Sequence, residues 1–60
     1  MNASWPQDPM ILLSVVNTRL RDEYASLEEL CAETGMDREE LTAKLAAIGY
    51  RYDETENRFR

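Results

Sequence analysis

The sequence contains no histidine and a single cysteine, Cys31. Without a second cysteine no internal disulfide forms, and without histidine a Cys/His zinc site cannot be assembled. Glycine is limited to Gly35 and Gly49 and proline to Pro6 and Pro9, which leaves no glycine-rich phosphate loop and no flexible linker. The longest apolar run, Met10–Leu13, is far too short to span a bilayer. Residues 1–7 have neither a basic stretch nor an apolar one, so no signal peptide is expected. A lone thiol fits a reducing compartment. The expectation is a soluble, cytoplasmic protein with no membrane, metal or cofactor requirement.

Basic residues are also scarce. Seven lysines and arginines stand against twelve aspartates and glutamates, a net charge of −5. The imbalance is concentrated in residues 25–48, where six carboxylates face only Arg38 and Lys44. An acidic middle opposes nucleic-acid binding, because that affinity comes largely from Lys and Arg displacing counterions.

What is present is enough for one domain. A chain of 60 residues buries only about 60% of the surface its unfolded form exposes, so its stability is marginal. With disulfide and zinc excluded, association is the remaining common route to extra stability. Residues 1–7 read as an extended lead-in and residues 8–60 as the domain. Within the lead-in, Trp5-Pro6 is expected to lie against the helices, since a large ring beside a rigid proline is poorly placed in water.

The spacing predicts three helices. Asp8 is a suitable N-cap and Pro9 sits at the first helical position, where a missing N–H costs nothing. The first helix should run to about Tyr24, with Leu12, Leu13, Val16, Leu20 and Tyr24 on one face. Ile11 and Val15 form a second, shorter apolar stripe, to be covered by the C-terminal hairpin, by Trp5 or by a partner. Ser14, Asn17, Thr18 and Arg21 form a polar stripe. Asn17 stands out, because a mid-helix asparagine is a poor helix former and needs another reason to be there. Either it anchors the hairpin or the second helix through its side chain, or it belongs with Arg21 to a small recognition patch.

The second helix opens with Ser26 and Glu29 as a capping box, carries Leu27, Leu30, Cys31 and Thr34 on one side, and stops at Gly35. The third opens with Asp37 and Glu40 as another capping box, turns Leu41, Leu45 and Ile48 inward, and stops at Gly49. From about residue 50 a hairpin is expected. Tyr50, Tyr52 and Phe59 share its inner face, and Arg51, Arg58 and Arg60 its outer face. Asp53 caps the turn, Asn57 takes the left-handed position, and Tyr52 pairs with Phe59. The expected core is Leu12, Val16, Leu20, Leu27, Leu30, Leu41, Leu45 and Ile48, closed by the three aromatics.

The fold class is therefore mainly α with a small β-hairpin, a tri-helical helix-turn-helix that is winged-helix-like. The stretch Leu27–Leu41, with Leu30, the small Cys31 four residues before Gly35, Met36 after it and Leu41 in the next helix, resembles the helix-turn-helix of winged-helix regulators. So do Leu45, Ile48 and the Gly49-Tyr50 exit. The resemblance implies a scaffold that serves DNA, RNA and protein binding alike. Over nearly the whole chain the sequence also resembles a family of short bacterial proteins known only as a domain of unknown function. That resemblance rests on Asp8-Pro9, Leu12–Thr18, Leu20-Arg21-Asp22, Ser26-Leu27, Leu45-Ala46, Ile48-Gly49-Tyr50 and Tyr52-Asp53. It implies a cytoplasmic bacterial protein and no particular activity.

Catalysis lacks its parts. Glu28-Glu29 and Glu39-Glu40 look like carboxylate pairs, but adjacent helical residues point about 100° apart and share no site. Cys31 is expected inward and inert. The reading is a non-enzymatic binding module that contacts a protein partner or a second copy of itself. Its candidate surface is Ile11 and Val15 on the first helix with Ala43, Ala46 and Ala47 on the outer face of the third, where small side chains admit a close partner. The alternative is a nucleic-acid-associated regulator gripping phosphates with Arg51, Arg58 and Arg60. A separate reading, in which the third helix enters the major groove of DNA, would present Glu39 and Glu40 at its groove-facing tip, which phosphates oppose.

Overall fold

The structure, a computed structural model, describes residues 5–60. Residues 1–4 of the expected lead-in lie outside the described residues. Three helices are followed by a two-stranded antiparallel hairpin: α1 (Pro9–Asp22), α2 (Leu27–Thr34), α3 (Arg38–Ala46), β1 (Tyr52–Asp53) and β2 (Arg58–Phe59). The mainly helical class with a small hairpin is thus present as expected.

Local chemistry sets each boundary. The Met10 N–H donates to Asp8 Oδ1 (2.9 Å), with Pro9 opening α1. Ser26 Oγ accepts from Glu29 N–H (3.1 Å) at the start of α2. Asp37 Oδ1 accepts from Glu39 N–H (2.9 Å) and Glu40 N–H (3.4 Å) at the start of α3. Gly35 at φ 78° ends α2 in the left-handed conformation that costs an L side chain about 1–2 kcal/mol. Two expected details differ. The Glu29 carboxylate reaches back to Ala25 N–H (2.7 Å), one residue before the cap. Asp37 takes two α3 donors by itself.

The core forms where the three helices and β2 meet. Leu12, Leu13, Val16 and Leu20 from α1, Leu27 and Leu30 from α2, Leu41 and Leu45 from α3, and Phe59 from β2 are buried together. Each fully buried side chain of this size contributes about 1.5–3 kcal/mol. Ile48, expected among them, is half-buried at the margin with Trp5, Tyr24, Cys31, Met36, Tyr50 and Tyr52. The cause is α3 ending at Ala46. The chain has already begun to turn toward Gly49 (φ 89°), with Tyr50 N–H donating to the Leu45 carbonyl (2.9 Å). Trp5 packs at the edge of the core with the Arg19 guanidinium 5.8 Å from its ring centre.

The hairpin has the expected register, Tyr52 opposite Phe59 and Asp53 opposite Arg58. The paired rings lie 5.5 Å apart, tilted by 54°. Asp53 Oδ1 accepts from Thr55 N–H (2.9 Å) and Glu56 N–H (3.2 Å) across the turn. Asn57 closes it at φ 55°. Arg51 and Arg60 exchange two backbone hydrogen bonds (3.0 and 2.9 Å).

Candidate functional site

The polar stripe of α1 meets the hairpin directly. Since Arg51 and Arg60 form a hydrogen-bonded pair, the next pair, Tyr52 and Phe59, turns its backbone groups away from the partner strand. Phe59 would then present a free N–H and C=O on the outer edge of β2. The Asn17 side chain takes both. Phe59 N–H donates to Asn17 Oδ1 (2.8 Å), and Asn17 Nδ2 donates to the Phe59 carbonyl (3.0 Å). A carboxamide offers one acceptor and one donor in the arrangement of a backbone peptide, so Asn17 acts as a one-residue strand. This is the reason for a mid-helix asparagine.

A second amide does the same work at the corner between α1 and α2. Asn57 Nδ2 donates to the carbonyls of Leu20 (3.1 Å) and Tyr24 (3.0 Å). The Tyr52 hydroxyl donates to Asn57 Oδ1 (2.6 Å) and accepts from Leu27 N–H (3.2 Å). The hairpin therefore satisfies a carbonyl at the end of α1 and an N–H at the start of α2. The sequence carries one signal for this. The segment Asp22-Glu23-Tyr24-Ala25 has no glycine or asparagine to close α1, so its last carbonyls need a donor from elsewhere. α1 accordingly ends at Asp22, two residues before the expected Tyr24.

These bonds separate two roles of Asn57. Asn57→Gly keeps the left-handed backbone but loses the network, and is expected to cost about 1–2 kcal/mol. Asn57→Ala also strains φ and is expected to cost about 1 kcal/mol more. Urea unfolding of the two variants checks this; equal losses would mean that the backbone conformation contributes nothing.

Beside the Asn17 clasp, α1 and the hairpin enclose an open groove of about 680 Å³. It brings Arg58, which the sequence had assigned to the hairpin's outer face, beside the polar pair Asn17 and Arg21, with the exposed Met10 also lining it. Arg21 is bound to its neighbour, Nε to Asp22 Oδ1 at 2.9 Å and Nη2 to Oδ2 at 3.2 Å. That hydrogen bond raises Arg21 above the usual guanidinium value and lowers Asp22 below the usual carboxylate range. Both groups are in open water, where such pairs contribute little to stability.

The three hairpin arginines are divided. Arg51 and Arg60 are cross-strand neighbours, as expected. Arg60 forms an ion pair with Asp53, its Nη1 lying 3.4 Å from Asp53 Oδ2. Arg58 stands at the groove. On α3, Arg38 reaches Glu28 at 3.8 Å while Glu39 and Glu40 are exposed.

Of the apolar candidates, Ile11 is 55% exposed and Met10 53%, whereas Val15 is half-buried. Neither the hairpin nor Trp5 covers Ile11 as anticipated. The reason is that the hairpin is held on the Asn17 side of α1, about 120° around the helix from Ile11. Ala43 and Ala46 on α3 and Ala47 at its C-cap are exposed, on the side away from Leu41 and Leu45.

Cys31 is half-buried at the edge of the core. Burial pushes its thiol up, Arg38 opposes this and Asp37 adds to it. A raised thiol stays protonated at neutral pH. The folded state is favoured by that neutral form below the ordinary thiol range and loses the preference as pH climbs through the raised value. Iodoacetamide should alkylate Cys31 more slowly in the native protein than in urea at neutral pH; equal rates would contradict the shift. No grouping of Cys, Asp and Glu among the described residues has the arrangement of a metal site. Among the described residues no helix is long and apolar enough to cross a membrane.

One family model, described as Domain of unknown function (DUF4250), matches residues 6–59. No curated protein and no solved structure matches the chain.

Proposed function

The chain belongs to the DUF4250 family, a domain of unknown function, and from that premise we propose that it is a non-enzymatic protein-interaction module of helix-turn-helix-like build that associates with itself or a protein partner. The observation that carries this is the exposure of Ile11 and Met10 on α1, two large aliphatic side chains left in water by a domain with few to spare. Ala43, Ala46 and Ala47 add a flat helical face without long side chains.

Other features favour protein over nucleic acid as the partner. Arg60 is engaged with Asp53 and Arg38 with Glu28. The first turn of α3 exposes Glu39 and Glu40, and the protein carries a charge of −5. Binding is favoured over catalysis because the side chains best suited to chemistry are dispersed and exposed, and the one thiol is held protonated.

Sedimentation equilibrium over a range of protein concentrations tests the self-associating form. The expected result is reversible dimerisation that added salt does not weaken and that Ile11→Asp abolishes without loss of helicity. A monomer at every concentration, or a dimer indifferent to Ile11→Asp, would remove self-association through α1.

A further inference from the structure

We propose that the outer edge of β1 pairs with the same edge of a second copy of the chain, joining two hairpins into one four-stranded sheet. This goes beyond the association through Ile11 and uses a different surface.

The hairpin has two edges, and the fold closes only one of them. On β2 the outward Phe59 N–H and C=O are both taken by Asn17. The same alternation turns the Tyr52 N–H and C=O outward on β1. No third strand is paired there, and among the described residues Tyr52 is bonded to other elements only through its hydroxyl. An open edge is a template for another strand unless proline, a bulge or repelling charge blunts it. β1 has no proline, and its register with β2 runs without a bulge.

The charges on this edge select the occupant. Successive residues alternate faces, so Arg51 and Asp53 share the outer face, one on either side of Tyr52. Let two copies of the edge meet antiparallel, with Tyr52 opposite Tyr52. Each Tyr52 N–H then meets the other's carbonyl. Arg51 of each copy stands opposite Asp53 of the other, in the non-hydrogen-bonded position where side chains come closest. Arg51 is exposed and has no ion-pair partner among the described residues. Asp53 accepts from the Thr55 and Glu56 N–H groups and from Arg60, which leaves its carboxylate a further acceptor site. An edge of like charges would repel its own copy, whereas this one complements itself across the two-fold axis. The contact is small, one paired residue and its flanking charges, so its Kd should be on the order of 1 mM. It is therefore unpopulated at the micromolar concentrations where the Ile11 contact is measured.

The test is NMR of isotope-labelled Ile11→Asp protein, in which the α1 contact is removed, from micromolar to millimolar concentration. The expected result is that the amide signals of residues 51–53 move with concentration. A mixed labelled and unlabelled sample should show an intermolecular contact between the Hα atoms of Arg51 and Asp53, which stand too far apart within one strand to give it. Arg51→Glu sets like charges opposite each other and should raise the Kd about tenfold. Arg51→Lys keeps the charge and should leave it within about twofold. Signals that do not move with concentration, an intermolecular contact in another register, or association indifferent to Arg51→Glu would each overturn the proposal. Because Ile11→Asp removes the α1 contact beforehand, the edge can fail while association through α1 stands, and the reverse.

Discussion

Phe59→Ala should leave the domain largely unfolded at room temperature. Phe59 is 2% exposed and is the β2 side chain that enters the leucine core. Truncating a buried phenylalanine costs about 3–5 kcal/mol, from lost burial and from the cavity left behind. A domain this small has little more than that, at roughly 0.05–0.15 kcal/mol per residue. Three losses coincide here: the ring's contacts with the helices, its packing on Tyr52, and the reason for the hairpin to lie where Asn17 and Asn57 can hold it. Phe59→Leu keeps most of the apolar volume and should remain folded with a smaller loss. Thermal unfolding followed by circular dichroism separates the two. A Phe59→Ala variant melting within a few degrees of wild type would mean that the hairpin is an appendage and the helices fold without it.

Asn17→Ala should cost about 2–3 kcal/mol. Alanine is the better helix former, so propensity alone predicts a gain. The loss comes from Phe59, whose N–H and C=O both forfeit their partners in a half-buried setting. The sign of the change thus distinguishes a clasp from a surface residue. Asn17→Asp sharpens this further. The aspartate still accepts from Phe59 N–H but, when ionised, has no proton for the Phe59 carbonyl. A protonated aspartic acid can make both bonds, so the folded state should raise its pKa. The stability it supplies is then present below the ordinary carboxyl range and lost as pH rises through the raised value. Relative to wild type, Asn17→Asp should be weakest at neutral pH and recover on acidification. A deficit independent of pH would contradict the geometry at Phe59.

Much of the fold was legible because it is written in short-range chemistry. Asp8-Pro9, Ser26, Gly35 and Asp37 act on residues within four positions of themselves, and all four mark the helix ends they were expected to mark. The turn from Asp53 to Asn57 is equally local, and so was its register. The site was less legible because it depends on contacts across 25 to 42 positions. Periodicity flagged Asn17 as anomalous and offered anchoring as one explanation, but could not identify Phe59 as its partner. Asn57 was read only for its backbone, and Tyr52 only for its ring, since nothing in a hydrophobic pattern reports where a hydroxyl or carboxamide points. The same limit separated Arg21 from Arg58. One lies on a helix and the other on a strand, and only the docking of the hairpin brings them to one groove.

That docking also accounts for which surface remains open. Holding the hairpin on the Asn17 side leaves Ile11 without cover. It also places Arg58 beside α1 and leaves Arg51 and Arg60 on the outer face, with Arg60 tied to Asp53. The same docking thus separates Arg58 from Arg51 and Arg60, the three side chains of the alternative phosphate-gripping wing.

Fluorescence anisotropy of labelled mixed-sequence DNA and RNA, titrated with the protein at low salt and again at higher salt, tests the choice of partner class most directly. A protein-interaction module of charge −5 should give no binding to either nucleic acid even at low salt, where phosphate contacts are strongest. Binding at micromolar protein that weakens steeply with salt and disappears in Arg51→Ala or Arg60→Ala would contradict the account and make the hairpin a nucleic-acid wing.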